Sequence, residues 1–300
     1  MNFEVFKEIL KNNIAVKLGN EYDVVFKDVR KNNGVMLTGV SIMKKGTNMA
    51  PIIYINGYYD MYKNGRYTIY AIVSEIIKLY KETMAKNKIN STRFFLDFDT
   101  AEPYIIRKLI NTEKNRELLE DVPHIDFLDL SIIFQVMLPD DIYFETITIH
   151  NEHCKIWEIG IDELIFAARR NMQRLLPNVC RNIEFFIEEL TSKSDSKDYF
   201  VKDNNVSGIL VLTNERHING ASAMIDRNFL RECSDKINDS FYILPSSVNE
   251  LLAVPDNGHI NANELRDLVK TINDTEVDEE DVLSYSVYYF NMENDRLSVL

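Results

Sequence analysis

Apolar residues follow a helical period at the start of the chain and give way to strand-like runs directly after it. Within 2–18 they recur at steps of three and four, which places them on one face of a helix. They are Phe3, Phe6, Leu10, Ile14 and Leu18. Two β-rich runs, 22–30 and 35–43, then flank Asn33 and Gly34, a pair that tolerates the positive φ angles of a tight turn. The pattern predicts a helix followed by an antiparallel hairpin.

The same plan of hairpins and helices continues along the rest of the chain. Further helices are predicted at 67–84, 101–111, 161–176, 226–238 and 262–273. Further strands are predicted at 52–55, 125–138, 142–149, 207–213, 219–224, 241–244, 249–254, 283–290 and 296–300. Because short turns join neighbouring strands, we expect antiparallel pairs, with helices covering mainly one face of each sheet. The sequence therefore predicts an α+β fold of recurrent hairpin-plus-helix units rather than a doubly wound parallel sheet.

A polar segment divides the chain late in its length. Residues 191–205 carry almost no apolar side chains and form the predicted linker. They leave an N-terminal α+β module at 1–90, a middle α+β module at 91–190 and a C-terminal α+β module at 206–300. The alternative is that the first two modules pack together as one domain, since a domain commonly has about 150 residues.

Charge and cysteine usage narrow the class of protein. The formal net charge is −13, and such a surface repels the phosphates of nucleic acids and of anionic lipids. The three cysteines, Cys154, Cys180 and Cys233, are too scattered for a disulfide framework. The sequence shows neither a run of about 18 apolar residues nor the pattern of a secretory signal. We expect an acidic, soluble, cytoplasmic protein with no membrane partner, for which generic nucleic-acid binding is disfavoured.

The turn between two apolar C-terminal strands gathers polar groups that could bind a ligand. It carries the hydroxyls of Ser246 and Ser247, the amide of Asn249 and the carboxylate of Glu250. A serine nucleophile needs a base, normally histidine or lysine, and an asparagine cannot take a proton at neutral pH. The favoured interpretation is a turn in which the hydroxyls bind backbone amides. Ligand or partner binding comes next.

Three further clusters have the side chains of a site but also a structural explanation. The first contains the metal-ligand types His150, Glu152, His153 and Cys154. The second contains the carboxylates Asp97, Asp99 and Glu102, and the third the tyrosines Tyr54, Tyr58, Tyr59, Tyr62, Tyr67 and Tyr70 around Arg66. A polar strand end, acidic residues at a helix start and rings at a core margin explain them. None is a complete ligand set, so neither a metal nor a cofactor is predicted.

Several phrases of the sequence are shared with a known family. They are Lys31–Gly39, Asp121–Leu130 and Leu244–Glu250, together with Asn151, His153 and Trp157. In this order they resemble, from end to end, a bacterial family catalogued as domain of unknown function 5688. The resemblance implies no activity, cofactor or partner. It does imply Ser-Ser-x-His-Glu where this chain has Asn249 in place of the histidine, which argues against essential imidazole chemistry at that position.

Function must be inferred from a site, and the sequence alone provides none that is convincing. We expect a non-enzymatic interaction or regulatory protein of the bacterial cytoplasm, with no catalytic residue. The sequence does not identify its partner, for which a protein is one candidate. The alternative is an enzyme with an unfamiliar site, such as a hydrolase near Ser246–Glu250. The candidate ligand- or partner-binding residues are Ser246, Ser247, Asn249, Glu250, Asn151, His153 and Trp157.

Overall fold

The computed structural model describes residues 1–47, 50–86, 96–138, 146–184, 186 and 208–300. It divides the chain into two compact units, Met1–Asn90 and Ser91–Leu300. The predicted linker, 191–205, lies outside the described residues, and the separation of a middle from a C-terminal module stays a prediction. Across the described parts of the chain, none of the helices is long and apolar enough to cross a membrane.

The first unit is a three-stranded antiparallel sheet with helices packed on one face. Its elements are α1 (Phe3–Leu18), β1 (Tyr22–Arg30), β2 (Met36–Lys44), β3 (Ile52–Tyr54), α2 (Asn56–Lys63) and α3 (Ile69–Lys86). The strands stand in the order β1-β2-β3. The predicted hairpin is confirmed, since Arg30 pairs with Met36. Between them Asn33 and Gly34 take φ angles of 59° and 73°, in the left-handed region that asparagine and glycine tolerate.

The core of the first unit forms where the apolar faces of α1 and α3 meet the sheet. Its buried residues are Phe6, Leu10, Ile14, Val24, Val40, Ile42, Ile55, Ile72, Val73, Ile76, Ile77 and Tyr80. An Asn-Gly pair is typical of a turn, but here helix α2 begins at Asn56. On this helix Tyr58, Tyr59 and Tyr62 recur at helical spacing and pack against the core. The tyrosine cluster is therefore structural in part.

The second unit contains two antiparallel sheets. Its helices are α4 (Phe98–Ala101), α5 (Arg116–Leu119), α6 (Asn151–Trp157), α7 (Ile161–Leu175), α8 (Arg227–Ile237) and α9 (Ala262–Thr275). Its strands are β4 (Ile105–Asn111), β5 (His124–Phe127), β6 (Leu130–Met137), β7 (Thr146–Thr148), β8 (Asn178–Asn182), β9 (Leu210–Asn214), β10 (Phe241–Pro245), β11 (Leu251–Pro255), β12 (Tyr288–Asn291) and β13 (Arg296–Val299). One sheet has the order β4-β6-β5 with β7 also paired to β6, and the other has the order β13-β12-β10-β11-β9-β8. The predicted α+β class is confirmed.

Two predictions in the middle of the chain are wrong. Residues 101–111 do not form a helix, because strand β4 follows the short helix α4. Its apolar residues fit a helical face equally well, but they lie on both faces of the strand and are buried on both. The single strand expected over 125–138 is two strands, β5 and β6, because Leu128 turns the chain with a φ of 57°.

A third error concerns residues 219–224, which were expected to form a strand. They belong instead to a 3-10 helix over Gly220–Ile225. The hydroxyl of Ser222 in this helix donates a hydrogen bond of 3.2 Å to the carbonyl of Arg107 on β4. Because β4 is an edge strand, its outer carbonyls need partners, and this helix supplies one without adding a strand.

The segment before β12 is held by a carboxylate rather than by a strand partner. Asp129, between β5 and β6, accepts hydrogen bonds from the hydroxyls of Ser284, Ser286 and Tyr288 at 2.9, 2.9 and 2.7 Å. Burial, together with Asp129, raises the pKa of Tyr288, so the phenol remains a proton donor. The strand expected over 283–290 therefore begins only at Tyr288.

The two sheets of the second unit share one core. Its members include Leu109, Leu130 and Ile132 from the four-stranded sheet, and Leu210, Leu212, Phe241, Ile243, Leu251, Tyr288 and Phe290 from the six-stranded sheet. Strand β8, whose residues are mostly polar, was not predicted. Of the return strand predicted at 142–149, β7 is present, while 139–145 lie outside the described residues.

Candidate functional site

The polar turn between β10 and β11 is closed by its own hydrogen bonds. The backbone amide of Ser247 donates to the carbonyl of Glu250 at 3.1 Å. The backbone amide of Asn249 donates to the hydroxyl of Ser247 at 3.0 Å. Ser247 is buried, and Ser246 is half-buried. The Ser247 hydroxyl therefore serves the turn as an acceptor for a backbone amide, as serine commonly does in turns.

Asn249 fastens this turn to both sheets of the second unit. Its side-chain oxygen accepts the backbone amide of Asn219 at 3.1 Å, and its own carbonyl accepts the hydroxyl of Thr213 on β9 at 2.7 Å. The side chain of Asn219 continues to the side-chain oxygen of Gln135 on β6 at 2.8 Å. Asn249, at the position where the resemblance implies a histidine, is thus the centre of a largely buried amide network.

The chemistry available at this turn is limited by its contacts. Burial, and secondarily the charge of Asp281, raise the pKa of Glu250, which favours a protonated carboxyl of the kind that acts as a general acid. Within the described residues, however, neither Ser246 nor Ser247 has a histidine or lysine as a hydrogen-bond partner. The contacts are those of a structural joint, and a ligand-binding role for Ser246, Ser247, Asn249 and Glu250 stays a prediction.

The second group of candidate residues, Asn151, His153 and Trp157, lies on α6, which begins at Asn151. The backbone amide of His150 donates to Nδ1 of His153 at 2.9 Å, so this imidazole caps its own helix. Burial, followed by the neighbouring His150, lowers the pKa of His153. His150 itself contacts a carboxylate oxygen of Asp121 at 2.7 Å, and the Asn151 amide donates to the Asp121 carbonyl at 2.8 Å. These groups fix the start of α6.

Trp157, at the end of α6, connects this group to a cleft in the surface. The indole is 7% exposed, stacks on His153 and lies 5.8 Å from the ring of Phe98, measured between centroids. Phe98 is one wall of a cleft with a volume of about 410 Å³. Its lining residues are Phe98, Glu102, Asp162, Glu163 and Phe166, and we refer to it as the α4–α7 cleft.

The backbone positions of the α4–α7 cleft are fixed by buried contacts. Asn171, on the buried face of α7, donates from its side-chain nitrogen to the carbonyls of Glu102 and Ile105 at 2.6 and 3.0 Å. It thereby joins α7 to the segment that links α4 to β4. Phe166 lies away from the buried face of the same helix, and its side chain is 68% exposed. The backbone on both sides of the cleft is therefore held in place, and the ring of Phe166 projects from it into solvent.

The charges of the α4–α7 cleft are mainly negative. Glu102 forms an ion pair with Arg170, whose guanidinium also lies 5.8 Å from the centroid of the Phe166 ring. A side-chain oxygen of Glu163 accepts the backbone amide of Gly160 at 3.0 Å and so caps α7. Asp162 is exposed in the same first turn. Aromatic walls with a carboxylate rim suit a ligand that is apolar and positively charged.

The carboxylate cluster predicted at Asp97, Asp99 and Glu102 is divided between two tasks. Asp97 caps α4 by accepting the backbone amide of Thr100 at 3.1 Å, whereas Glu102 faces the cleft. In the described ranges, no group of three or more histidine, cysteine, aspartate or glutamate side chains is arranged to hold a metal ion. Independence from metals stays a prediction.

The sequence did contain a signal for the part of the cleft that was missed. The buried positions of α7 recur with a helical period, and they are Leu164, Ala167, Ala168, Asn171, Met172 and Leu175. Phe166 does not fall on that face, and a large apolar residue on the polar face of a helix marks a surface that can be covered by a partner. Phe98 and Glu102 reach the same place only through the tertiary fold.

Comparison with known proteins identifies a family without adding an activity. A search of curated proteins and a search of solved structures each return no match. The sequence profile of the family of unknown function DUF5688 matches residues 3–292, which is nearly the whole chain. The resemblance inferred from the short phrases is thereby confirmed, and this chain belongs to the family of unknown function DUF5688.

Proposed function

We propose that this chain is a non-enzymatic protein of the bacterial cytoplasm that binds a partner protein, and that the α4–α7 cleft receives a segment of that partner. The observation that carries the proposal is the 68% exposure of Phe166 at the margin of a cleft that has a second phenylalanine in its wall. Aromatic side chains that become buried on association contribute much of the energy of protein interfaces.

The size and rigidity of the cleft support this proposal. A volume of about 410 Å³ accommodates one or two side chains of a bound segment. Phe98 is backed by the buried indole of Trp157, and α7 is anchored by the buried side chain of Asn171. Because these walls are already ordered, binding costs less conformational entropy than at a mobile surface.

The negative charge of the cleft favours a partner segment that is positively charged. Three carboxylates line the cleft, and among the residues that the structure describes only Glu102 of the three is paired with an arginine. The chain as a whole carries a net charge of −13, which attracts basic partners and accelerates their association. The segment we propose therefore has a lysine or arginine beside a leucine or an aromatic residue.

The cytoplasmic location rests on the cysteines and on the charge. Cys154, Cys180 and Cys233 are free thiols, a state that is stable in a reducing compartment. The acidic surface disfavours adsorption to nucleic acid or to anionic lipid. A soluble partner protein in the same compartment is the simplest consistent occupant of the cleft.

The test uses labelled short peptides in which a lysine or arginine adjoins a leucine or phenylalanine, with binding to the full chain measured by fluorescence anisotropy. We expect Phe166→Ala to weaken binding about tenfold or more. Asp162→Asn should weaken binding and reduce its dependence on salt. Leu268→Ala and Asp267→Asn are matched controls, since they change an exposed apolar and an exposed acidic residue of α9 outside the cleft.

Two results would contradict the proposal. In one, the peptides bind the parent chain and the Phe166→Ala variant with equal affinity. In the other, the α9 variants lose as much affinity as the cleft variants, which would indicate adsorption by overall charge. Hydrolysis of the peptides by the purified chain would favour the enzymatic alternative instead.

A further inference from the structure

One histidine connects the start of α6 to the indole at its end. Nδ1 of His153 accepts the backbone amide of His150 at 2.9 Å. The same imidazole stacks on Trp157, with 5.8 Å between the ring centroids and 29° between the ring planes. Trp157 in turn lies 5.8 Å from the ring of Phe98, which is a wall of the α4–α7 cleft. A change at His153 can therefore reach the cleft through two ring contacts.

The capping bond requires the neutral form of His153. Because a backbone amide is always a donor, Nδ1 can accept the His150 amide only while this nitrogen carries no proton. A proton on Nδ1 would place two N–H groups against each other and remove this acceptor from the first turn. In a helix of seven residues the first turn is a large part of the structure. The start of α6 is therefore sensitive to the protonation of one side chain.

The groups around His153 act on its proton in opposite directions. Burial of the half-buried ring, followed by the His150 imidazole at 5.6 Å between centroids, lowers the pKa of His153. Glu152 on the same helix and Asp121 in the segment before β5 raise it, and the indole face of Trp157 also attracts a cation. The lowering prevails. A positive charge on His150 is attracted to Asp121 at 2.7 Å, which directs this carboxylate away from His153.

We propose that His153 is a pH switch for α6, which caps the helix and holds Trp157 against Phe98 as a neutral imidazole and releases both as an imidazolium. Histidine is the side chain whose charge ordinarily changes between about pH 5 and pH 8. The folded chain, in which the pKa of His153 is lowered, binds this proton less readily than the unfolded chain does. The stability that the cap contributes is therefore present above the ordinary pKa of 6.5 and is lost as the pH falls through the lowered one.

The switch regulates the α4–α7 cleft, and this step rests on the function proposed above. The indole nitrogen of Trp157 is buried and makes no hydrogen bond to any residue that the structure describes, so packing fixes the position of the indole. When His153 leaves the stack, the indole loses one of its ring contacts and Phe98 loses part of its support. The cleft is therefore ordered at neutral pH and binds its basic segment less tightly in mildly acidic solution.

The experiment uses the single tryptophan of the chain, Trp157, whose fluorescence reports this site directly. The full chain is titrated from about pH 8 to about pH 5, a range that spans the ordinary pKa of histidine. We expect one sigmoidal change in emission, because an imidazolium in contact with an indole quenches it and a released indole meets water. Its midpoint should lie below 6.5, the ordinary pKa of histidine.

Variants assign the change to His153. His153→Gln should abolish it, because a glutamine at this helix position can accept the same amide but does not titrate. His259→Gln is the matched control, since it changes an exposed histidine between β11 and α9 and should leave the midpoint unchanged. His150→Gln removes a neighbour that opposes protonation and should raise the midpoint, whereas Asp121→Asn should lower it. The absence of a transition in the parent chain, or the same transition in His153→Gln, would overturn the proposal.

Peptide anisotropy at the two ends of the pH range tests the link to the cleft. We expect the parent chain to bind the basic peptides severalfold more weakly at the acidic end. The loss should be smaller in His153→Gln, in which only the carboxylates of the cleft titrate. Equal losses in the two chains would overturn the regulation of the cleft. If the peptides bind at neither pH while the fluorescence transition is present, the proposed function fails and the switch at α6 stands.

Discussion

The turn at 245–250 and the α4–α7 cleft use their polar side chains in opposite ways. In the turn, the Ser247 hydroxyl and the Asn249 amide bind other parts of the same chain. In the cleft, a carboxylate at Asp162 and an aromatic ring at Phe166 face solvent. The turn looks more like a site in the sequence, yet its Ser247 hydroxyl and Asn249 amide are already occupied. A dense cluster of polar residues therefore marks a joint here, and an exposed ring marks the better candidate for binding.

The largest effect is expected from disrupting the packing of the joint, by which we mean the 245–250 turn and its contacts with Asn219 and Thr213. A Cβ atom at Gly220 would lie 2.1 Å from the carbonyl oxygen of Asn249 and 2.2 Å from Oγ1 of Thr213. Because both neighbours are held by hydrogen bonds, Gly220→Ala should cost about 3 kcal/mol in the free energy of unfolding, measured by denaturant titration. Gly208→Ala is the control, since its Cβ would meet a side chain only at 3.7 Å, and we expect a change within about 0.5 kcal/mol. If Gly220→Ala lost no more unfolding free energy than Gly208→Ala, the backbone around Gly220 would not be tightly packed.

The second prediction tests whether Asn249 acts as a hydrogen-bond acceptor in the amide network or replaces a catalytic histidine. Asn249→Ala removes the acceptor of the Asn219 backbone amide and should cost about 1–3 kcal/mol in the free energy of unfolding. Asn249→His places an imidazole Nδ1 near the position of the amide oxygen, and this nitrogen can accept the same amide. The histidine variant should therefore be the more stable of the two in thermal and denaturant unfolding.

The pair of variants also tests the role of the histidine that the resemblance implies at position 249. If histidine restores stability, an asparagine and a histidine are alternative acceptors at this position, and the turn keeps its structural role. A histidine variant that is no more stable than the alanine variant would contradict the assignment of Asn249 as a hydrogen-bond acceptor for Asn219. New esterase activity in Asn249→His would instead favour the hydrolase alternative at this turn.

Agreement between sequence and structure was best where local patterns decide the structure. The hairpin around Asn33 and Gly34 was predicted because these two residues tolerate the observed positive φ angles. The strand at 105–111 was mistaken for a helix because its apolar pairs fit both periods, and only pairing with β6 decides between them. The 3-10 helix at 220–225 depends on the free edge of β4, which is distant in sequence.

The same distinction applies to the candidate sites. The polar residues of the 245–250 turn were found from sequence because they are adjacent, but their partners Asn219 and Gln135 could not be. The α4–α7 cleft combines α4 with α7, so its composition follows only from the fold. Phe166 alone could have been recognised in advance, from its place off the buried face of its helix.

The third prediction compares the two serines of the turn, which sequence reasoning treated alike. The hydrogen bond falls on Ser247, whose hydroxyl accepts the Asn249 amide at 3.0 Å. Ser247→Ala should therefore cost about 1 kcal/mol in the free energy of unfolding, which is the usual net value of one such bond. We expect this loss to exceed that of Ser246→Ala. A fluorophosphonate probe should label neither serine in the folded chain. Stoichiometric labelling that denaturation abolishes would show an activated nucleophile.

The smallest expected effect concerns the carboxyl at the end of the joint, because it is partly exposed and solvent screens it. Burial first, and the charge of Asp281 second, raise the pKa of Glu250 above its ordinary value of 4.5. The folded state therefore holds this proton more tightly than the unfolded chain does. The stability that the neutral carboxyl contributes is fully present below the ordinary pKa and is lost as the pH rises through the raised one.

Glu250→Gln should remove this loss, because the amide stays neutral at every pH. Denaturant unfolding of the parent and the variant from pH 4 to pH 8 (about the range that spans the ordinary carboxyl pKa and neutrality) should show the variant gaining relative stability as the pH rises, and keeping that gain at neutral pH. In an Asp281→Asn background the gain should shrink, since the repelling charge is gone. A Glu250→Gln variant that is less stable than the parent at neutral pH would mean that the charged carboxylate is stabilised by the turn, and the joint would then hold a functional anion instead of a buried acid.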